Sequence, residues 1–339
     1  MDDFYGLSPE QQADRLALLA RQALKHWDLT PVSISLIKYR ENAVFKITTA
    51  DNTFALRIHR PGYHSSAALR SELQWMAALD DAGIAVPKVI PTTDGQLLVS
   101  VQTDAVPEPR CVDLFAWISG EQLGSVEHGL GKDSASIRST YRQIGQIAAQ
   151  LHNQASQWSL PDGFERHAWD AEGLVGEQPF WGRFWELPQL TPDQRELLLQ
   201  ARDKVRNVLS ALEKSSRNYS LIHADFVPEN LMTDGDAVRL LDFDDAGFGW
   251  HMFELATALY FVLREPDYDI ARTALTEGYC QLRPLTEDDL GLLETFLTAR
   301  GFTYLGWIQD RQETETARQL TADLIARACH QSRRYLGLS

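Results

Sequence analysis

His223, Asp225, Asn230, Asp242 and Asp244 lie close together in a stretch that is otherwise largely apolar. A largely apolar strand, Tyr219-Ser-Leu-Ile222, ends at His223, and the loop that follows, containing Pro228, carries Asp225. Two short apolar stretches, 231–233 and 237–241, then flank Asp234-Gly235-Asp236, a strong hairpin-turn signal. With the hairpin centred near Asp236, Asn230 is expected to face Asp242 at its open end. An amide oxygen and a carboxylate side by side are hard oxygen ligands, suited to Mg²⁺ alongside phosphate oxygens. Phosphoryl transfer needs a metal to neutralise phosphate charge and a carboxylate to orient the attacking hydroxyl and take its proton. Asp225, on the loop leading into the hairpin, sits nearby as a third polar group. A merely solvated acidic turn does not explain why the polar groups gather at the ends of apolar strands.

The surrounding elements must hold this hairpin. Ser8-Pro9-Glu10-Gln11 predicts a helix start with a capping box, and Leu16, Leu19, Ala23, Leu24 and Trp27 recur at helical spacing. Segments 32–39, 43–49 and 53–59 read as three antiparallel strands. Residues 65–81 return to helical period, with Leu69, Leu73, Met76 and Leu79 on one face and Gly83 as stop signal. Two strands are expected on either side of Asp94-Gly95, and another over 111–118. The Gly- and Ser-rich stretch 119–133 reads as the junction to a second, mostly helical half. There, Ser134–Gln154 and the segment after Thr191-Pro192 are helical, with more helices over 250–336, and 219–243 is the one strand-like part.

His-x-Asp-x-x-x-x-Asn followed by Asp-Phe-Asp (His223, Asp225, Asn230, Asp242, Phe243, Asp244) resembles the aminoglycoside phosphotransferase, choline kinase and type II homoserine kinase superfamily. These are relatives of the protein kinases, and bacterial stress-response kinases are similar too. The resemblance implies an α+β, protein-kinase-like two-lobed fold: a small antiparallel-sheet lobe over 1–118 and a mostly helical catalytic and substrate lobe over 119–339. It implies ATP and Mg²⁺ as cofactors, Asp225 as catalytic base, His223 as the brace of its loop, Asn230 and Asp242 as metal ligands, and Asp244 as a secondary metal or substrate group. The likeness spans residues 30 to 310, and 223–244 is its diagnostic part.

The same likeness assigns nucleotide-binding roles in the first half. Arg40-Glu41-Asn42-Ala43 fits the turn that covers phosphates, with Asn42 among the binding residues. Arg57 lies on the strand face opposite Phe54, Leu56 and Ile58, and Glu72 sits on the next helix, so an Arg57–Glu72 ion pair directed at the phosphates is expected. The family usually has lysine where Arg57 stands; arginine can bridge phosphates with two bonds, but its bulk changes the geometry. The turn also lacks the glycines of a phosphate clamp. The segment Cys111–Gly120 resembles the strand and hinge that meet adenine, at Leu114, Phe115 and Ala116. His152, on a helix resembling the leading helix of the second lobe, reads as structural, and Glu254 as a support of the catalytic loop.

Composition narrows the partners. The 339 residues carry a formal charge of −15, which repels nucleic acid and anionic membranes and is compatible with a cationic substrate. The longest apolar run, near 255–263, is far short of the ~20 residues a membrane span needs. The acidic start, Met1-Asp2-Asp3, lacks a signal-peptide pattern, and Cys111, Cys280 and Cys329 have no metal or redox spacing, so a cytoplasmic setting is expected. Trp158, Trp169, Trp181 and Trp185, with Phe164, Phe180 and Phe184, could hold an amine but read first as core, with Trp181 and Trp185 one helical turn apart. Asp245, Trp307 and Arg311 are further pocket candidates. The function expected is transfer of the γ-phosphoryl group of ATP to the hydroxyl of a small molecule: an amino alcohol, a homoserine-like or an aminoglycoside-like compound. A protein serine/threonine kinase of the stress-response type and a non-catalytic nucleotide-binding regulator are the alternatives.

Overall fold

The computed structural model describes residues 4–39, 42–124, 133–235, 237–312 and 314–338. They divide into two compact units, 1–120 with 160–165, and 121–159 with 166–339. The return of 160–165 to the first unit was not expected from sequence. Arg40 and Glu41 of the phosphate-covering turn, Asp236 of the hairpin turn and 125–132 of the junction lie outside the described residues.

The first unit contains α1 (Pro9–Ala23), β1 (Ser33–Tyr39), β2 (Ala43–Thr48), β3 (Thr53–Ile58), α2 (Ser66–Asp81), β4 (Val99–Val101) and β5 (Arg110–Ala116). Its antiparallel sheet has the order β1-β2-β3-β5-β4. Ser8 caps α1 through the expected capping box with Gln11. Leu16, Leu19, Leu24 and Trp27 pack with Phe45, Ile47, Leu56, Ile58, Val112 and Leu114 in one core. Strand alternation turns Arg57 and Asp113, which are direct cross-strand partners, to the opposite face. Of the two strands expected around Asp94-Gly95, only β4 forms. The earlier segment makes a single bridge, Val89 to Phe115, because Pro87 and Pro91 remove backbone donors on both sides of it.

The second unit contains β6 (Glu121–Gln122), α3 (Ser134–Gln157), β7 (Ala168–Trp169), α4 (Ala171–Val175), α5 (Pro192–Ala211), β8 (Tyr219–Ile222), β9 (Leu231–Asp234), β10 (Ala237–Leu240) and β11 (Gly247–Trp250). Five helices follow: α6 (His251–Tyr260), α7 (Tyr268–Cys280), α8 (Glu287–Gly291), α9 (Leu293–Gln309) and α10 (Glu315–Leu336). Two small sheets are present, β10-β9-β6 and β7-β11-β8, so strands extend beyond the single stretch expected. β11 was not legible as a strand because Gly-Phe-Gly-Trp has little strand propensity. Its glycines are there for closeness: a Cβ on Gly249 would stand 2.4 Å from Ile222 Cδ1. No helix among the described residues is long and apolar enough to cross a membrane.

Two further glycines set the approach of α3 and α7. A Cβ on Gly145 would meet the Leu275 carbonyl oxygen at 2.1 Å, and one on Gly278 would meet that of Arg142 at 2.0 Å. Alanine at either site gains up to about 1 kcal/mol of helix propensity, but forcing the helices apart costs about 1–3 kcal/mol. Gly145→Ala and Gly278→Ala are therefore expected to lower the Tm in thermal melts, against their helix propensity. An unchanged or raised Tm would show that the helices do not rely on this contact.

Candidate active site

The apolar strand β8 ends at His223, whose imidazole is completely buried. His223 Nδ1 accepts the Asp225 N–H at 3.2 Å, and Nε2 donates to the Leu241 carbonyl at 2.9 Å. The ring is thus neutral with its proton on Nε2, and burial pushes its pKa below the usual value. It ties the loop bearing Asp225 to the end of the hairpin bearing Asp242. Phe226 and Phe243 pack edge-on against it. Ala224 adopts a left-handed φ of 64°, a conformation that costs a non-glycine residue about 1–3 kcal/mol. The buried Glu254 of α6 holds it there, accepting the N–H groups of His223 at 2.8 Å and Ala224 at 2.6 Å. Burial raises the Glu254 carboxyl above its ordinary range, against the pull of His223 and the two N–H donors.

Asp225 follows this bend with its side chain one-fifth exposed. Its Oδ2 accepts from Asn230 Nδ2 at 2.7 Å, and its Oδ1 from Arg300 Nη2 at 2.7 Å. Arg300 was not singled out in the sequence, although a lone cation in the middle of the apolar helix α9 was a signal. Asn230 closes a short 3₁₀ turn, Pro228–Asn230, and is buried.

The hairpin register differs from expectation by one residue. β9 pairs with β10 as Leu231 with Leu240 and Asp234 with Ala237, and the Leu241 N–H donates to the Asn230 carbonyl at 2.8 Å. Asn230 therefore faces Leu241, not Asp242. The loop has two residues, and its first, Gly235, takes φ 60° as a tight hairpin requires. A one-residue slip sends a side chain to the other face of a ribbon. Asp242 leaves the ribbon at this point through its own left-handed φ of 60°.

The donor set fits a divalent ion shared with phosphates. The amide nitrogen of Asn230 donates to Asp225, so its oxygen is the atom that would face an ion, and Asp242 would add a carboxylate one residue beyond Asn230's backbone partner. Among the described residues no group of three or more His, Cys, Asp or Glu side chains forms a closed metal cage. Mg²⁺ typically uses one or two protein carboxylates and takes its remaining ligands from water and phosphate. Asp244, two residues after Asp242, is buried. Arg166 holds the following loop, donating to the carbonyls of Asp244 and Ala246, and Trp169 Nε1 donates to that of Asp245 at 2.9 Å.

In the first unit, Arg57 and Glu72 meet at 2.8 Å. Arg57 also pairs with Asp113 in two bonds, Nε to Oδ1 at 3.1 Å and Nη2 to Oδ2 at 2.7 Å. His59 Nε2 lies 2.8 Å from the same Oδ2. Despite complete burial, Arg57 and His59 hold the Asp113 carboxyl down at about 2. Asp113 and His59 were missed, yet a lone aspartate in the apolar strand Val112–Phe115 was a visible signal. The Asn42 side chain accepts the Arg60 N–H at 3.0 Å. In the proposed hinge, the Leu114 carbonyl accepts from Ile90 N–H at 2.8 Å and Ala116 N–H donates to Lys88 at 2.9 Å; Phe115 also packs under the Arg57 guanidinium.

The tryptophan-rich segment is core: Trp169, Trp181, Phe184 and Trp185 are buried, and Phe184 stacks on Phe302 at 4.4 Å. Trp181 and Trp185 do not share an α-helix; only Phe184–Glu186 forms a short 3₁₀ turn. Trp181 Nε1 donates to Asp245 Oδ1 at 3.4 Å, and the Arg311 guanidinium lies 5.3 Å from the Trp307 ring.

A family model described as a phosphotransferase enzyme family matches residues 35–290. An amicoumacin kinase of Bacillus subtilis (strain 168) is 23% identical over 316 residues, 90% of this chain and 88% of the relative. The solved structure of a microcompartment-associated aminopropanol kinase shares 30% identity with a TM-score of 0.83, covering 95% of this chain and 98% of that one. A second, an amicoumacin kinase in complex with AMP-PNP, Ca²⁺ and Ami, has 20% identity and a TM-score of 0.76, covering 96% and 95%.

Behind the catalytic loop, His152 stacks on His251 at 4.1 Å, bonds Tyr279 Oη at 2.8 Å and stands 3.6 Å from Glu254. Burial pushes both imidazoles well below their usual pKa, so both are neutral in the fold. The unfolded chain takes up these protons near pH 6.5, so the stability is complete above that value and is lost as pH falls. Urea denaturation is expected to show unfolding free energy falling by about 2–3 kcal/mol per pH unit below pH 6, less steeply in His152→Gln. A flat profile between pH 7 and 5 would contradict neutral burial.

Proposed function

Because the chain belongs to the phosphotransferase enzyme family, we propose that it transfers the γ-phosphoryl group of ATP, with Mg²⁺, to the hydroxyl of a small amine-bearing alcohol. The observation that carries this reading is the Asp225 carboxylate, fixed at both oxygens and still partly exposed. The exposed fifth of the side chain gives an acceptor hydroxyl access to the carboxylate. Asp225 orients that hydroxyl and takes its proton as the oxygen bonds to the γ-phosphorus and the bond to ADP breaks. Asn230 and Asp242 hold the divalent ion, which when bound neutralises phosphate charge. Arg57, kept in one orientation by Asp113 and Glu72, faces nucleotide phosphate; the Leu114 carbonyl and the Ala116 N–H, expected at the adenine, are instead bonded to Ile90 and Lys88.

The acceptor class draws on two supports. The charge of −15 favours cations near the surface, and the aminopropanol kinase with 30% identity is named for a compound with an amine and a hydroxyl. A thermal-shift screen of such alcohols with a non-hydrolysable ATP analogue and Mg²⁺ identifies the acceptor, since ligands of the native state raise its apparent stability.

Asp225→Asn is expected to lower kcat for ADP release by about 10²–10⁴-fold, with binding of the ATP analogue nearly unchanged. Full turnover in that variant would remove Asp225 from the chemistry.

A further inference from the structure

The cation that holds Asp225 comes from α9, whose sequence is apolar on almost every face. Arg300 is completely buried there. Its guanidinium lies among the rings of Tyr304 at 4.3 Å, Trp181 at 4.9 Å and Phe253 at 5.7 Å. One nitrogen, Nη2, carries its side-chain hydrogen bonds: to Asp225 Oδ1 and to Tyr304 Oη, both at 2.7 Å. Nε and Nη1 meet no hydrogen-bond partner among the described residues.

A buried guanidinium with unsatisfied donors is a poor stabiliser, and an apolar side chain of similar volume often serves a core better. What this arginine does that methionine would not is grip Asp225 Oδ1 while Asn230 Nδ2 holds Oδ2. A carboxylate on a short side chain can rotate about its last bond, and a displacement of about 1 Å in a reacting group can cost on the order of 10²-fold in rate. The aromatic rings on the guanidinium and the Tyr304 hydroxyl on Nη2 in turn stop Arg300 from moving.

We propose that Arg300 is a positioning residue for the transfer reaction: held by Tyr304 and its aromatic cage, it fixes the orientation in which the Asp225 carboxylate receives the acceptor hydroxyl. The inference rests on the reading of Asp225 as the base, and the test separates the two.

The experiment is a kinetic cycle on the full chain with ATP, Mg²⁺ and the alcohol found by the screen. Arg300→Met is expected to lower kcat by about 10²-fold, with KM for ATP and the Tm little changed, and Arg300→Lys to recover part of the loss. In the Asp225→Asn background Arg300→Met should cost almost nothing further, because residues that act through one another are non-additive. Tyr304→Phe, a milder change that covers a failure of Arg300→Met to fold, should lower kcat about tenfold in wild type and not in Asp225→Asn. A full additional loss in the Asp225→Asn background, or a fall in Tm that accounts for the lost activity, would overturn the positioning role. So would unchanged kcat in both Arg300→Met and Tyr304→Phe. If Asp225→Asn alone keeps full turnover, it is the base reading that fails.

Discussion

The active site depends on one buried carboxylate accepting two successive backbone N–H groups. Glu254, on a helix with no exposed face, receives the amides of His223 and Ala224. Ala224 could not hold its left-handed conformation without such over-determination, and that bend lets the chain leave β8 and present Asp225. Burying a carboxylate costs several kcal/mol, and two short charge-assisted bonds offset part of it. The same acid stands near His152, which links α3 and α7 to the loop through Tyr279. The glycine contacts between those helices thereby bear on the placement of the catalytic loop.

The two units solve a common electrostatic problem in different ways. In the first, Arg57 is surrounded by Glu72 and Asp113, and the strongly depressed Asp113 carboxyl reports how firmly that charge is held. In the second, a more deeply buried arginine serves one carboxylate and leaves two of its nitrogens unsatisfied. The first is a cluster of opposite charges in direct contact. The second spends stability on orienting a reactive group, the kind of expense that active sites show.

Much of this was legible in the sequence, for identifiable reasons. The segment 223–244 announced itself because polar groups gathered at the ends of apolar strands. The helix starts at Ser8 and Thr191 carried capping boxes that the structure contains. The α+β kinase-like architecture followed from the resemblance. The hairpin register did not, because one residue of loop length decides it and Asp234-Gly235-Asp236 fits two lengths. Asp113, Arg300 and Arg166 escaped because their partners lie 56, 75 and about 80 positions away, beyond any local pattern. For Asp113 and Arg300, an isolated charge within an apolar strand or helix was the trace left in the sequence.

The central claim is that Asn230 and Asp242 together hold a divalent ion that brings the nucleotide to Asp225. Calorimetric titration of a non-hydrolysable ATP analogue with and without Mg²⁺, on wild type and Asp242→Asn, tests it most directly. The account predicts that Mg²⁺ tightens binding to wild type and that Asp242→Asn abolishes this gain while keeping the metal-free affinity. Equal tightening by Mg²⁺ in both proteins would contradict it.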